Sequence, residues 1–286
     1  MRVLTGVAFL SAALCLVLGG AGATTQDEAS AQALAAFIEA ARDADIVVLG
    51  ETHDNPDHHA AQAEIVAALA PAALVLEMIP QEREAAVNEL RAAGAERAAL
   101  AEALDWADSG WPDFDLYAPI LEAAPGAQVF GAGQPIADVR RAMLEGAAGV
   151  FGPDAAIYGL DSDLAPEEQA RREGEQAEAH CNALARETLP GLVEAQRFRD
   201  AGLADATLWA RIMTGGGQVV VITGSGHADK AHGMPAMIAL AEPEAKLVSL
   251  GQFEAPPDDP EDFDAVLLAP APPREDPCAA FDRPRD

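Results

Sequence analysis

Two histidines stand in matching frames: His53 closes Ile46-Val47-Val48-Leu49-Gly50-Glu51-Thr52-His53, and His227 closes Val220-Val221-Ile222-Thr223-Gly224-Ser225-Gly226-His227. Aligned without a gap, Ile46 faces Val220, Gly50 faces Gly224 and His53 faces His227. Each segment reads as a buried strand, a glycine turn and an imidazole. Open α/β sheets bind ligands at the C-terminal edge of their strands. Two parallel strands would bring both imidazoles there, as transition-metal donors or as an acid–base pair. Glu51 lies inside the first loop, and Glu77 ends the apolar run Ala73-Leu74-Val75-Leu76. A carboxylate at the end of a buried strand costs several kcal/mol unless it is paired. Glu77 therefore needs a metal, an imidazolium or an arginine, and a plain salt bridge fits equally well. His53, His227 and Glu77 form a candidate metal set, and Glu51 as general base would make it a hydrolytic centre. This spacing is less specific than His-Glu-x-x-His.

Other residues belong near that edge. His58 and His59 open a helix whose start points at it, but neighbours on a helix diverge by about 100°, so at most one faces the site. The stretch from Trp106 to Tyr117 holds most of the larger aromatics; it either stacks on a flat ligand or packs a core. Gln196, Arg199 and Asp200 share a helix face, with Arg199 meeting an anionic ligand group or pairing with Asp200. Gly215-Gly216-Gly217 precedes its strand and lacks a following Lys-Ser/Thr, so it is not a phosphate loop.

The elements that must position these groups alternate between helix and strand. Helix is expected over 26–42, 57–69 and 138–144, in two segments within 81–103 broken at Gly94, and in a short piece before residue 127. Strands are expected over 46–49, 73–78, 127–130, 218–223, 246–250 and, as an edge, 264–268. Residues 166–186 and 191–213 read as two long helices with no strand between them, a helical lid inserted into the alternation. A last helix covers 234–240. The class is α/β, a mainly parallel central sheet flanked by helices.

Bulk properties limit the function. The 286 residues carry a formal charge of −29, with Lys230 and Lys246 the sole lysines, a surface that repels nucleic acid and anionic lipid. Arg2, the apolar run from Val3 to Leu18 and Ala21-Gly22-Ala23 read as a signal peptide over 1–23. The run is shorter than the ~20 residues of a spanning helix, so no stable membrane anchor is expected and the mature chain is periplasmic or secreted. One domain over 24–270 then precedes a Pro- and Asp-rich tail over 271–286. Cys181 and Cys278 remain after cleavage, and in an oxidising compartment a bridge is expected.

The chain resembles the ChaN-like haem-binding uptake proteins of the Tiki/TraB/erythromycin-esterase superfamily. The resemblance rests on Gly50-Glu51-Thr52-His53-Asp54-Asn55-Pro56 with His59 and Gln62, Leu76-Glu77-Met78, Trp106 through Tyr117 and Ala179-His180-Cys181. It continues through Ala195-Gln196 with Arg199-Asp200, Gly224-Ser225-Gly226-His227 and Glu275-Asp276-Pro277-Cys278. It implies an α/β core, export, haem as ligand and a Cys181–Cys278 pairing within the family pattern. His59, Tyr117, His180 and Arg199 become candidate haem contacts. Haem iron accepts His, Met, Tyr or Cys, and the phenolates available are Tyr117 and Tyr158. Two departures stand out: the leader lacks lipoprotein processing residues, and Ala201 follows Arg199-Asp200 where many similar sequences have methionine. Two readings follow, a haem-binding protein of one copy or two, and a divalent-metal hydrolase built on the same His/Glu set.

Overall fold

The computed structural model describes residues 26–280; the expected signal peptide lies outside them. Six parallel strands form one sheet: β1 (Ile46–Glu51), β2 (Ala73–Pro80), β3 (Gln128–Gly133), β4 (Val219–Gly224), β5 (Leu247–Phe253) and β6 (Ala265–Leu268). Their spatial order is β3-β2-β4-β1-β5-β6. β4, arriving late in the chain, is inserted between β1 and β2, so the two Gly-x-x-His strands are direct neighbours. Their register is offset by one from the gapless alignment: Ile46 pairs with Val219, Gly50 with Thr223 and Glu51 with Gly224. β1 and β4 are buried on both faces throughout, which is why they read as unbroken Val/Ile runs with no alternation.

The flanking helices are α1 (Gln26–Ala41), α2 (Pro56–Leu69), α3 (Glu84–Ala92), α4 (Arg97–Ala103), α5 (Trp106–Ser109), α6 (Phe114–Ala123), α7 (Ile136–Glu145), α8 (Ala147–Phe151), α9 (Pro166–Ala179), α10 (Leu189–Met213) and α11 (Met234–Ala241). On one face of the sheet Val47, Leu49, Leu74 and Ile222 pack with Phe37, Ile65, Tyr117 and Ile120. On the other, Ile46, Val48, Val75 and Val221 pack with Phe198, Leu203, Met234 and Ile238.

α2 starts where its sequence requires. The Asn55 side chain accepts from the Asp57 N–H, and Pro56 holds the first helical position. The two helices over 166–213 have different roles. α10 buries Val193, Phe198, Leu203 and Ala210 against the sheet and is the crossover into β4, a core layer and no lid. Its alanines and glycines let it lie close: a Cβ on Gly202 would fall 2.2 Å from the Gln134 amide nitrogen. α9 buries no residue and fits the lid description by itself. A disulfide joins Cys181, just past α9, to Cys278, pinning the tail to that helix across 97 residues of chain. Among the described residues, no helix is long and apolar enough to cross a membrane.

Candidate functional site

β1 and β4 end side by side, and the loops that follow carry His53 and His227 into the wall of one cavity. The approach is close: a Cβ on Gly50 would fall 2.8 Å from Ser225 Cα, and one on Gly224 3.1 Å from His53 Nε2. Glycine is required at Gly50, where a Cβ would meet backbone, while at Gly224 a side chain would crowd the His53 ring. The cavity, of about 810 Å³, is lined by Glu51, His53, Arg172, Gln196, His227, His232, Phe253 and Arg274 among others. That volume lies within the range of small-molecule sites. α9 contributes Arg172, Glu175, Gln176 and Ala179 to the wall.

The matched histidines have different partners. His53 Nδ1 lies 2.9 Å from Glu51 Oε1. A carboxylate oxygen accepts, so Nδ1 donates, and Nε2 lies beside Gly224, 3.1 Å from where its Cβ would be. Glu51 is fully buried and His53 a third exposed. A carboxylate that fixes the tautomer and aim of an imidazole is the usual second layer of a metal-ligating histidine. Trp111 packs edge-on against the His53 ring, centroids 4.8 Å apart.

His227 is buried between two carboxylates, with Nδ1 2.6 Å from Asp200 Oδ1 and Nε2 3.5 Å from Glu77 Oε1. Burial alone would lower its pKa, but Glu77 and Asp200 raise it to about 9, so it is an imidazolium at neutral pH. Glu77 resists the opposing effect of its own burial, which would raise its pKa, and is held well below the usual range by His227 and then Arg199. Arg199 donates to Glu77 Oε1 at 2.5 Å; the Thr223 hydroxyl and the Gly224 N–H donate to Oε2 at 2.7 and 3.0 Å. Burial dominates at Asp200 and raises its pKa despite His227.

These contacts correct several expectations. Of the expected metal set His53, His227 and Glu77, both Glu77 oxygens accept from Arg199, Thr223 and the Gly224 N–H, and the His227 ring lies between Asp200 and Glu77. Arg199 pairs with Glu77, not Asp200; it lines a second cavity of about 480 Å³, with Trp111, Met78 and Leu203, behind the Glu77 wall. His58 and His59 are both buried, and neither faces the cavity. Thr52 N–H donates to His58 Nδ1, while His59 Nε2 donates to the His53 carbonyl at 2.8 Å. Tyr117 is fully buried with its hydroxyl donating to Glu51 Oε1 at 3.0 Å; burial and the Glu51 charge raise its pKa, so it is no phenolate ligand. Tyr158 is buried in the opposite core and donates to Asp205. His180 caps the end of α9, Nδ1 donating to the Gln176 carbonyl at 2.8 Å, outside the lining. The aromatic stretch divides: Trp106 and Phe114 pack with Tyr117, and Trp111 reaches the site.

Sequence reasoning missed Arg172, Arg274 and Phe253 as cavity residues, and Asp200 as the partner of His227. Arg274 enters from the tail, its Nε 3.0 Å from Asp54 Oδ2; the disulfide pattern was the one signal that the tail returns to the site. Of the charged lining groups, Glu51, Asp54 and Glu175 are anionic and Arg172, Arg274, His227 and His232 cationic. His232 counts as cationic because Asp229 and Glu175 outweigh its burial and raise it to about 9. The cavity is therefore locally less acidic than a chain of formal charge −29.

Among solved structures, ChaN of Campylobacter jejuni, described with cofacial haem binding, superimposes with a TM-score of 0.64 at 22% identity, over 82% of this chain and 91% of that one. The type III effector HopBA1 gives 0.45 at 14% identity, over 77% of this chain and 82% of that one. A succinoglycan biosynthesis protein gives 0.43 at 13%, over 77% and 68%. No curated protein matches. Residues 37–238, more than half of the chain, match the family described as haem-binding uptake, Tiki superfamily, ChaN. The two Gly-x-x-His strands, their shared cavity and this match give one conclusion: the chain belongs to the ChaN family of the Tiki superfamily.

Proposed function

We propose that the chain binds haem in the cavity between the strand ends and α9, with His53 Nε2 as the iron ligand. One observation carries this reading: Glu51 holds the His53 ring by Nδ1, which leaves Nε2 as the nitrogen available for iron, and His53 lines a cavity of about 810 Å³. Neutral imidazole is a common ligand of haem iron. The rest of the lining fits the group. Phe253, Val193 and Ala179 offer apolar surface, and Arg172 and Arg274 stand at the wall where anionic propionates need cations. Bound haem would supply an iron centre. The protein would supply one nitrogen, a counter-charge for the propionates and a roof.

The disulfide and the leader-like N-terminus support export, and an uptake role in the periplasm or outside the cell fits both. Haemin titration followed by the Soret band tests the binding. A shifted, saturable band at one haem per site is expected. A response no different from that of an unrelated acidic protein would refute it. Fractionation of a tagged chain tests export, with mature protein starting near Thr24 expected outside the cytoplasm.

A further inference from the structure

The second cavity, of about 480 Å³, lies at the C-terminal ends of β2 and β3, on the rim where open α/β sheets bind ligands. Its walls are largely apolar: Met78, Leu104, Trp111, Ile136, Val139 and Leu203 line it. Leu104 and Leu203 are buried, whereas Ile136 is 63% exposed, so the apolar lining reaches the surface. Trp111 packs edge-on against His53, which lines the other cavity. One indole therefore stands between the two sites.

Two features of this wall favour an anion. Arg199 donates one hydrogen bond, to Glu77. A guanidinium carries five N–H donors in a fixed fork, and no other acceptor among the described residues takes the rest. The second feature is the start of α7. Gln134, Pro135 and Ile136 line the cavity, and no side chain caps the helix that begins at Ile136. Its leading N–H groups are left to solvent or a ligand, and such a helix start attracts negative charge. Asp138, in the first turn, is paired with Arg141.

The lining also limits the ligand. Glu82 is exposed at the rim and Glu77 lies within the wall, so phosphates and other multiply charged groups are repelled. A single planar carboxylate matches the guanidinium fork. The volume suits a small ring system. We propose that this cavity binds a small aromatic monocarboxylate. The carboxylate meets Arg199 and the start of α7, and the ring packs against Trp111, Val139 and Leu203. The site is separate from the His53 cavity, and the inference does not rest on the haem reading.

The test titrates full-length mature protein, free of haemin, with indole-3-acetate by calorimetry, with indole-3-acetamide as the neutral control. Saturable binding of one acid per chain is expected, at least tenfold tighter than the amide. Arg199→Gln should weaken it at least tenfold, and Val139→Trp, which fills the cavity, should abolish it. His53→Ala should bind the acid as wild type does, and saturating haemin should not displace it. Methyl NMR of the wild type locates the ligand without any substitution: Ile136, Val139 and Leu203 resonances should shift, and Val193, in the other cavity, should not. If either cavity variant fails to fold, the acid-to-amide ratio and the methyl shifts decide. No binding, equal affinity for acid and amide, full binding in Arg199→Gln or Val139→Trp, displacement by haemin, or shifts at Val193 alone would overturn the proposal.

Discussion

Replacing His227 by glutamine tests the buried charge cluster quantitatively. In the folded chain the proton on His227 is retained up to about 9, against the ordinary histidine value of 6.5. At ~1.4 kcal/mol per pH unit that interval corresponds to ~3 kcal/mol. The sign follows from the elevation: the contribution is complete below 6.5 and disappears as pH rises through 9. His227→Gln removes the cation and leaves Glu77 and Asp200 buried beside a neutral amide, a loss of ~3–5 kcal/mol near neutral pH. Urea unfolding of both proteins at intervals from pH 6 to pH 10 measures this. The wild type should exceed the variant most at pH 6, and the gap should narrow by ~3 kcal/mol by pH 10. His232 titrates in the same window but is present in both proteins, so the difference isolates His227. A gap that stays constant from pH 6 to pH 10 would refute the assignment of His227 as an imidazolium.

Three further outcomes are expected. Cys181→Ser with Cys278→Ser opens a 97-residue separation and should lower unfolding free energy by up to ~4–5 kcal/mol on the chain-entropy account, read by denaturant melts with and without reductant. Gly50→Ala places a methyl 2.8 Å from Ser225 Cα, where backbone must move; a loss of ~1–3 kcal/mol or more is expected, together with weaker haemin binding because the His53 and His227 loops separate. Tyr117→Phe removes one donor from Glu51 and should cost ~1–3 kcal/mol while leaving the Soret maximum of the haemin complex unmoved. A displaced maximum would make Tyr117 an iron ligand after all.

Much of the architecture is legible in the chain because its central strands β1, β2 and β4 are buried on both faces. Runs such as Val219-Val220-Val221-Ile222 can be little else, and Gly50 and Gly224 mark where the backbone of β1 and β4 turns into the histidine loops. Pairing of the two Gly-x-x-His strands was likewise legible, though not the one-residue offset, which depends on the neighbouring strands. The state of each imidazole was not legible. It is decided by which carboxylate reaches it: Glu51, two residues from His53, is local, whereas Asp200 arrives from a helix whose alanine-rich face gave no sign that it lay on the sheet. The same cause hid the division of 166–213 into a core helix and a covering one. His59 and Tyr117 looked like ligands by type and proximity; their burial depends on how α2 and α6 pack together, which no local pattern encodes. Arg274 was hidden by distance along the chain, and the disulfide brings it back.

In the haem-binding proposal, Glu51 presents His53 Nε2 to the iron. The most direct test is the absorption and electron paramagnetic resonance spectrum of the ferric haemin complex, recorded for wild type and for His53→Ala with and without added imidazole. A nitrogen-ligated spectrum is expected in the wild type, with loss of that signature and at least tenfold weaker binding in the variant, and its return when imidazole is supplied. An unchanged spectrum and affinity in His53→Ala would contradict it.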